Sequence, residues 1–415
     1  MMRMGYFVWE YPPRLVGGLG KYAEDMTRIF TRLGHEVSVF TLNTGDLKTN
    51  EIVDGVDVHR PRTVNAIDIL PFVVSEELRK WGNNLQFFNE ILCYNFLSAS
   101  KFSNQMALEK KYDMIAVHDW LSAMSGLIVK RSLRIPMVFH VHSTENQRSG
   151  GGGSKTIQDL EMKIMERADI VITVSYSMKD HLISLGCPPE KIRVVWNGCD
   201  THIYDNTKAD NALVEKLKKK YLIEPGEKVI LFIGRLTGVK GVENLILSFP
   251  EVLKEFPCTR LVIIGKGEQY DDLVKMTQRL GIEKKVTIVS DFISETERIA
   301  SYCLSDLCVF PSISEPFGIV SLEAMSMKKP LVVGASGING FKEQVVNGGP
   351  GQTGVHVDGR SPSDIAWGIS EILRDDRRAR AWGENGRKRV EDYFTIEKAA
   401  HATLGVYNEL FSSRR

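Results

Sequence analysis

Short apolar runs rich in Val, Ile and Phe recur along the chain, separated by longer stretches whose apolar residues fall three and four apart. The runs read as strands and the stretches as helices, an alternation that predicts parallel sheets joined by helical crossovers. The predicted strands are residues 6–9, 36–41, 114–118, 137–142, 170–174 and 192–196 in the first half. In the second half they are 229–234, 260–265, 286–290, 307–311 and 330–334. Many are apolar along their whole length, as expected when helices cover both faces of a sheet. Each half is therefore predicted to be a doubly wound, Rossmann-like α/β domain, one over 1–200 and one over 201–394. A helical segment over about 395–415 is expected to dock back on the first domain. The boundary is drawn through the polar run "THIYDNTKADNALVEKLKKKYLIEPGEK", which closes in a Pro-Gly turn. "SGGGGS" at 149–154 has the composition of a flexible loop.

A chain of 415 residues, 43% hydrophobic and 25% charged, is long enough for two domains with separate cores. Its 53 basic and 52 acidic residues leave a formal charge of +1. That balance gives no reason to expect nucleic acid as a partner. The six cysteines are scattered without a C-x-x-C pair, which fits isolated thiols in a reducing compartment. No stretch approaches the ~20 apolar residues of a membrane span. The opening "MMRMGYFVWEYPP" carries too short an apolar run for a secretory signal. The expectation is a cytoplasmic protein without an integral membrane segment.

Open parallel sheets bind ligands beyond the carboxyl ends of their strands, so two such domains are expected to work in the cleft between them. After the first strand, "EYPPRLVGGLGKYAEDM" offers Gly17, Gly18 and Gly20 ahead of a helix, a setting that suits a phosphate. Dinucleotide binding would need a tight G-x-G-x-x-G turn and an acid at the end of the second strand. Here the loop is long and that strand ends "VFTLN"; a Walker A loop is absent too. Further polar strand ends are "VHDW" with His118 and Asp119, "HVHSTE" with His140 and His142, and "WNGCD" with Asn197. Asp119 reads equally well as a helix N-cap. His140 and His142 share a strand face, but no third ligand stands at a fixed offset, so no zinc site is expected.

In the second half, "FIGRLTGVKGVENLI" places Arg235 and Lys240 on one loop. A guanidinium fork and an ammonium suit a diphosphate, and solvated surface charge is the plain alternative. "SEPFGIVSLEAM" sets Glu315 and Glu323 among apolar residues. A hydrolytic pair, a structural salt bridge and a grip on a polar ligand are all open to them. If the chain turns at Pro316–Gly318 and enters a helix, Glu323 lies ~8–10 Å along from Glu315. That is near or beyond the wide end of the ~5–9.5 Å glycosidase range, and it suits a bound nucleotide sugar better.

Taken together, "VGGLGKYAEDM", "VHDW", "HVHSTE", "WNGCD", "GRLTGVKG", "IIGKGE", "PSISEPFGIVSLEAM" and "GGPGQTGVHVD" resemble the retaining GT-B glycosyltransferases, which include the glycogen and starch synthases. The likeness spans nearly the whole chain, and its most specific part is the pair of glutamates separated by seven residues. It implies a GT-B fold of two Rossmann-like domains. It implies an enzyme that moves a hexose, glucose by preference, from a UDP- or ADP-type nucleotide sugar to an acceptor hydroxyl with retention. The acceptor implied is the non-reducing end of an α-glucan; a lipid, a sugar phosphate or another small acceptor is the alternative.

By the same resemblance Glu323 binds the ribose and Glu315 the transferred sugar, while Arg235 and Lys240 neutralise the diphosphate. Gly17, Gly18, Lys266 and the turn Phe317, Gly318, Ile319 and Val320 hold the donor. His142 lies at the scissile bond, and Asp119 and Asn197 line the acceptor side. No cofactor or metal is expected, since no Asp-x-Asp pair is evident and two cations face the leaving group. A phosphorylase lacks its recognisable pyridoxal lysine here, and a silent sugar-nucleotide-binding module is disfavoured by the intact residue set. Two departures stand out. Leu15 occupies the slot where starch synthases carry Lys, with Arg14 one step earlier, and the loop at 334–345 is longer than usual before Glu343. Replacing Lys240 by Ala is expected to cost turnover and almost no stability.

Overall fold

The computed structural model describes residues 1–15, 17–81 and 85–412. It divides into two compact units. The N-terminal unit comprises Met1–Val174, Lys179–Val195 and Ala399–Arg415, and the C-terminal unit Ser175–Met178 and Trp196–Lys398. The chain thus leaves the first unit at Val195, a few residues before the expected Asp200, and the end of the last helix, Ile396–Ser412, belongs to that first unit.

The N-terminal sheet is built from β1 (Arg3–Phe7), β2 (Glu36–Phe40), β3 (Asn50–Val53), β4 (Val56–His59), β5 (Met114–His118), β6 (Met137–Val141), β7 (Ile170–Thr173) and β8 (Ile192–Val194). Its spatial order is β3-β4-β2-β1-β5-β6-β7-β8. All neighbours are parallel except β3 and β4, which form a hairpin. That hairpin turns at Asp54 and Gly55, both at positive φ (50° and 82°), the Asp-Gly signature of a two-residue turn. The sequence reading missed both of its strands.

The C-terminal sheet contains β9 (Lys228–Ile233), β10 (Thr259–Ile264), β11 (Val286–Val289), β12 (Leu307–Phe310), β13 (Leu331–Gly334) and β14 (Gly354–Val357). It is parallel throughout, in the order β11-β10-β9-β12-β13-β14. The strand β14 was also missed. β5, β6 and β10 are buried at every residue, the pattern that near-continuous apolar runs predict.

Strand order reverses direction between β1 and β5 in the first sheet and between β9 and β12 in the second. Such switch points splay the loops beyond the strand ends and open a crevice there. Gly17, Gly18 and Asp119 follow β1 and β5, and Arg235, Lys240, Glu315 and Glu323 follow β9 and β12.

Candidate active site

At the C-terminal switch point, the loop after β9 carries Arg235 and the short turn Gly238–Lys240. Gly241 then adopts φ 69° to start the helix Val242–Glu255, and a Cβ there would meet the Pro311 carbonyl oxygen. Glycine therefore lets the Lys240 loop lie against the end of β12. Ile313 N donates to Val239 O at 2.8 Å and locks the two loops together. The result is an ion pair between Lys240 Nζ and Glu315 Oε2, with the side chains only 17% and 8% exposed. Arg235 is exposed, as is Lys266 after β10, whose carbonyl receives the Leu236 amide at 2.8 Å.

Glu315 leads into Pro316, Phe317 and Gly318, and Gly318 (φ 88°) opens the helix Ile319–Ser326. A Cβ on Gly318 would run into the Phe341 ring, so the turn is closed to other residues. No side chain caps this helix, which leaves the Ile319 and Val320 amides at its positive end. Phe317 is buried, and its carbonyl accepts from Gln344 Nε2 at 2.8 Å. Glu323, one turn on, is buried with two partners that sequence reading did not find. Tyr302 Oη donates to its Oε2 at 2.8 Å and Arg298 Nη1 to its Oε1 at 3.2 Å. Both partners sit four residues apart on the helix Glu295–Leu304, which opens with a capping box of Ser294 and Glu297. Their pairing with Glu323 is a long-range contact that no local pattern encodes. The Glu323 carboxylate drives the Arg298 guanidinium well above its ordinary range.

At the N-terminal switch point, Gly17 precedes the helix Gly18–Arg32, which again has no side-chain cap. The Gly17 amide donates to Glu10 Oε2 at 2.9 Å, so a carboxylate of the chain already takes the place offered to a phosphate there. Beyond β5, Asp119 has φ 52°, a strained setting for a residue other than glycine. It does not cap the next turn. Its Oδ1 instead accepts from the amides of His142 (2.8 Å) and Ser143 (3.4 Å), fixing the loop beyond β6. Arg148 lies 3.8 Å from the other oxygen and also meets Glu161 (3.1 Å) and Glu145 (3.9 Å). Burial pushes the Glu161 carboxyl up to about 8.

His118 and His140 are cross-strand neighbours, and His142 follows on the same face. Burial holds His118 and His140 well below the usual imidazole range and lowers His142 as well. Candidate ligand nitrogens of the three lie within 4.8 Å of one another. Imidazole lone pairs lie in the ring plane, however, and these rings are stacked with interplanar angles of 25°, 23° and 14°. Near-parallel rings do not aim at one ion. Instead His118 Nδ1 meets His142 Nε2 at 3.1 Å, and His140 Nε2 meets Tyr407 Oη at 2.8 Å. Asn197, expected with this group, falls in the C-terminal unit together with Trp196, whose indole donates to Glu343 at 2.8 Å. No disulfide joins the cysteines among the described residues.

Two parallel-sheet units with polar clusters at both switch points define a GT-B glycosyltransferase architecture. The sucrose-phosphate synthase of Thermosynechococcus elongatus shares that fold at a TM-score of 0.78 over the full length of both chains, with 20% identity. Residues 16–203 match the Glycosyltransferase Family 4 model and residues 214–389 the model of glycosyl transferases group 1. An uncharacterized glycosyltransferase of Methanocaldococcus jannaschii is 33% identical over 98% of both chains. A glycogen synthase of Mycobacterium tuberculosis is 29% identical over 98% of this chain and 94% of its own. The chain belongs to the group 1 glycosyl transferases.

Proposed function

We propose that the protein is a retaining hexosyltransferase that passes glucose from a nucleotide sugar to the non-reducing end of an α-glucan. The arrangement of Glu315 and Glu323 carries this reading. Each buried carboxylate faces a cation, Lys240 or Arg298, on the loops and helices around β9 and β12. In the proposed complex Glu323 accepts from the ribose hydroxyls and Glu315 from hydroxyls of the sugar. Lys240, with Arg235 and the amides of Ile319 and Val320, faces the diphosphate. Negative charge grows there as the bond to the anomeric carbon breaks, so these donors act more strongly in the transition state than before it. These two cations supply the neutralisation a divalent ion would bring, and turnover in a chelator should be unchanged.

The acceptor hydroxyl is proposed to attack from the face that the diphosphate vacates. Its oxygen bonds to the anomeric carbon, the diphosphate leaves with the bonding pair, and a leaving phosphate oxygen takes the hydroxyl proton. Trapping a glycosyl–enzyme adduct by mass spectrometry would overturn this step. A glucan is favoured over a phosphorylated acceptor by the charge around Arg148. Asp119, Glu145 and Glu161 already surround that one guanidinium, a setting for neutral hydroxyls rather than phosphate. The glycogen synthase relative supports the same choice, and a cytoplasmic site of action fits it. The test is a panel of nucleotide sugars with and without α-glucan, reading released diphosphate and the anomeric configuration by NMR. Release only with glucan, and an α-linked product from an α-linked donor, is expected. Release with a sugar phosphate alone would replace the acceptor, and an inverted product would remove the mechanism.

A further inference from the structure

His118 has not been given a role, yet it is fully buried and hydrogen-bonded to His142. Burial disfavours the charged form of both imidazoles, which favours two neutral rings. One ring must therefore donate across the 3.1 Å contact and the other accept. The second nitrogen of His118 decides which. Among the described residues, His118 Nε2 is buried without a partner. Were His142 the donor, His118 would carry its proton on Nε2, leaving a buried N–H with nothing to bond. An orphaned buried N–H is rarer than an under-satisfied acceptor. The favoured arrangement has His118 donating from Nδ1, with a bare lone pair at Nε2.

We propose that His118 is a positioning residue whose Nδ1–H donates to His142 Nε2, so that His142 keeps its proton on Nδ1 and offers a donor rather than a base. This rests on the reading that His142 faces the transferred sugar. The packing keeps the geometry from relaxing. His118 is stacked on His140 at 4.3 Å and packs at a tilt against Tyr6 at 4.2 Å, and Tyr22 closes edge-on against His142 at 4.7 Å. Asp119 holds the His142 amide from the other side. With its Nε2 lone pair engaged, His142 is a poor acceptor for the proton of an incoming hydroxyl. Its Nδ1–H is a hydrogen-bond donor for a sugar oxygen.

Long-range proton–nitrogen NMR on the full chain with labelled histidine reads the tautomers directly. The nine histidine signals are separated by comparison with His142→Gln and His118→Leu. In the parent protein His142 is expected to show a protonated Nδ1 and an unprotonated Nε2, and His118 a protonated Nδ1. A protonated Nε2 on His142 would overturn the proposal without need of any variant. His118→Leu should move His142 toward its other tautomer and lower kcat on the order of 10- to 100-fold with little change in donor KM. His118→Asn, whose amide can donate from nearly the same place, should recover part of that loss. Full kcat in His118→Leu, or no recovery in His118→Asn, would also overturn it. Failure of the parent protein to transfer any sugar would instead sink the proposed function, while the tautomers remained readable.

Discussion

Removing the Lys240 ammonium tests both the electrostatics and the chemistry of the C-terminal unit. Sequence reading expected Lys240→Ala to be almost silent in stability. The ion pair with Glu315 reverses that expectation. Glu315 is 8% exposed, and besides Lys240 its Oε2 meets only Ser312 Oγ, at 3.5 Å, among the described residues. Breaking a buried pair from one side typically costs about 3–5 kcal/mol, because the remaining charge is stranded. Lys240 is 17% exposed, so water can partly replace it, and about 2–4 kcal/mol is the expected cost here. At about 1.4 kcal/mol per decade, that is roughly 30- to 1000-fold faster hydrogen exchange in the loops after β9 and β12. In Lys240→Ala/Glu315→Gln the stranded charge is gone and most of the protection should return, while kcat stays low. Turnover of Lys240→Ala alone should fall about 10²–10³-fold. Equal protection in the single and double variants would refute the stranded-charge account, and unchanged turnover would refute the placement of Lys240 at the diphosphate.

Three other outcomes are expected. Tyr302→Phe, which removes a hydrogen bond to a buried carboxylate, should weaken binding of a ribonucleoside diphosphate by about 1.5–3 kcal/mol in calorimetry. Binding of its 2′-deoxy counterpart, already lacking one hydroxyl, should change less; equal losses would show that Glu323 does not read the ribose. Asp119→Ala releases the His142 and Ser143 amides and should lower kcat on the order of 10²-fold, whereas Asp119→Asn keeps an acceptor and most of the rate. Acid titration has a definite sign. His118 and His140 have depressed values when folded, so the unfolded chain binds more protons below about pH 6.5, and stability falls by up to about 1.4 kcal/mol per histidine per pH unit. Glu161, raised to about 8, binds its proton earlier in the folded state and works in the opposite direction. Glu161→Gln should therefore lose stability more steeply than the parent between pH 7.5 and 5.5, and a shallower slope in urea midpoints would contradict the burial of that acid.

The alternation of apolar runs located eleven of the strands because parallel strands buried on both faces write themselves as continuous Val/Ile stretches. The hairpin of β3 and β4 escaped because its outer strand alternates exposed and half-buried residues, including the charged Glu51. The Asp54–Gly55 turn was nevertheless a usable signal. The candidate site was legible where a loop follows a strand, as at Lys240, Glu315 and His142. What was not legible is the set of partners: Glu10 at the Gly17 amide, Arg298 and Tyr302 at Glu323, and Arg148 among three acids. Apart from Glu10, in the same loop as Gly17, and Glu145, one turn from Arg148, each partner comes from a segment distant in the chain. Local spacing carries no information about which distant side chain arrives there. Arg298 in particular reads as an exposed helix cation until the fold brings Glu323 beside it.

Those partners also bear on the proposed roles of the two glutamates. A hydrolytic pair needs one carboxyl that donates a proton to the leaving oxygen. Neither acid here is arranged to donate. Glu315 accepts from Lys240, and Glu323 accepts from both Arg298 and Tyr302. A purely structural salt bridge would bring little, since surrounding a buried carboxylate with cations seldom stabilises more than apolar packing would. The arrangement makes sense if the unused lone pairs serve as acceptors for hydroxyl groups. It also has a polarity suited to transfer. If, as proposed, Lys240 faces the departing diphosphate and Glu315 the sugar, their ion pair would be oriented along the charge separation of an oxocarbenium-like transition state. Little reorganisation is then required at the moment the bond breaks.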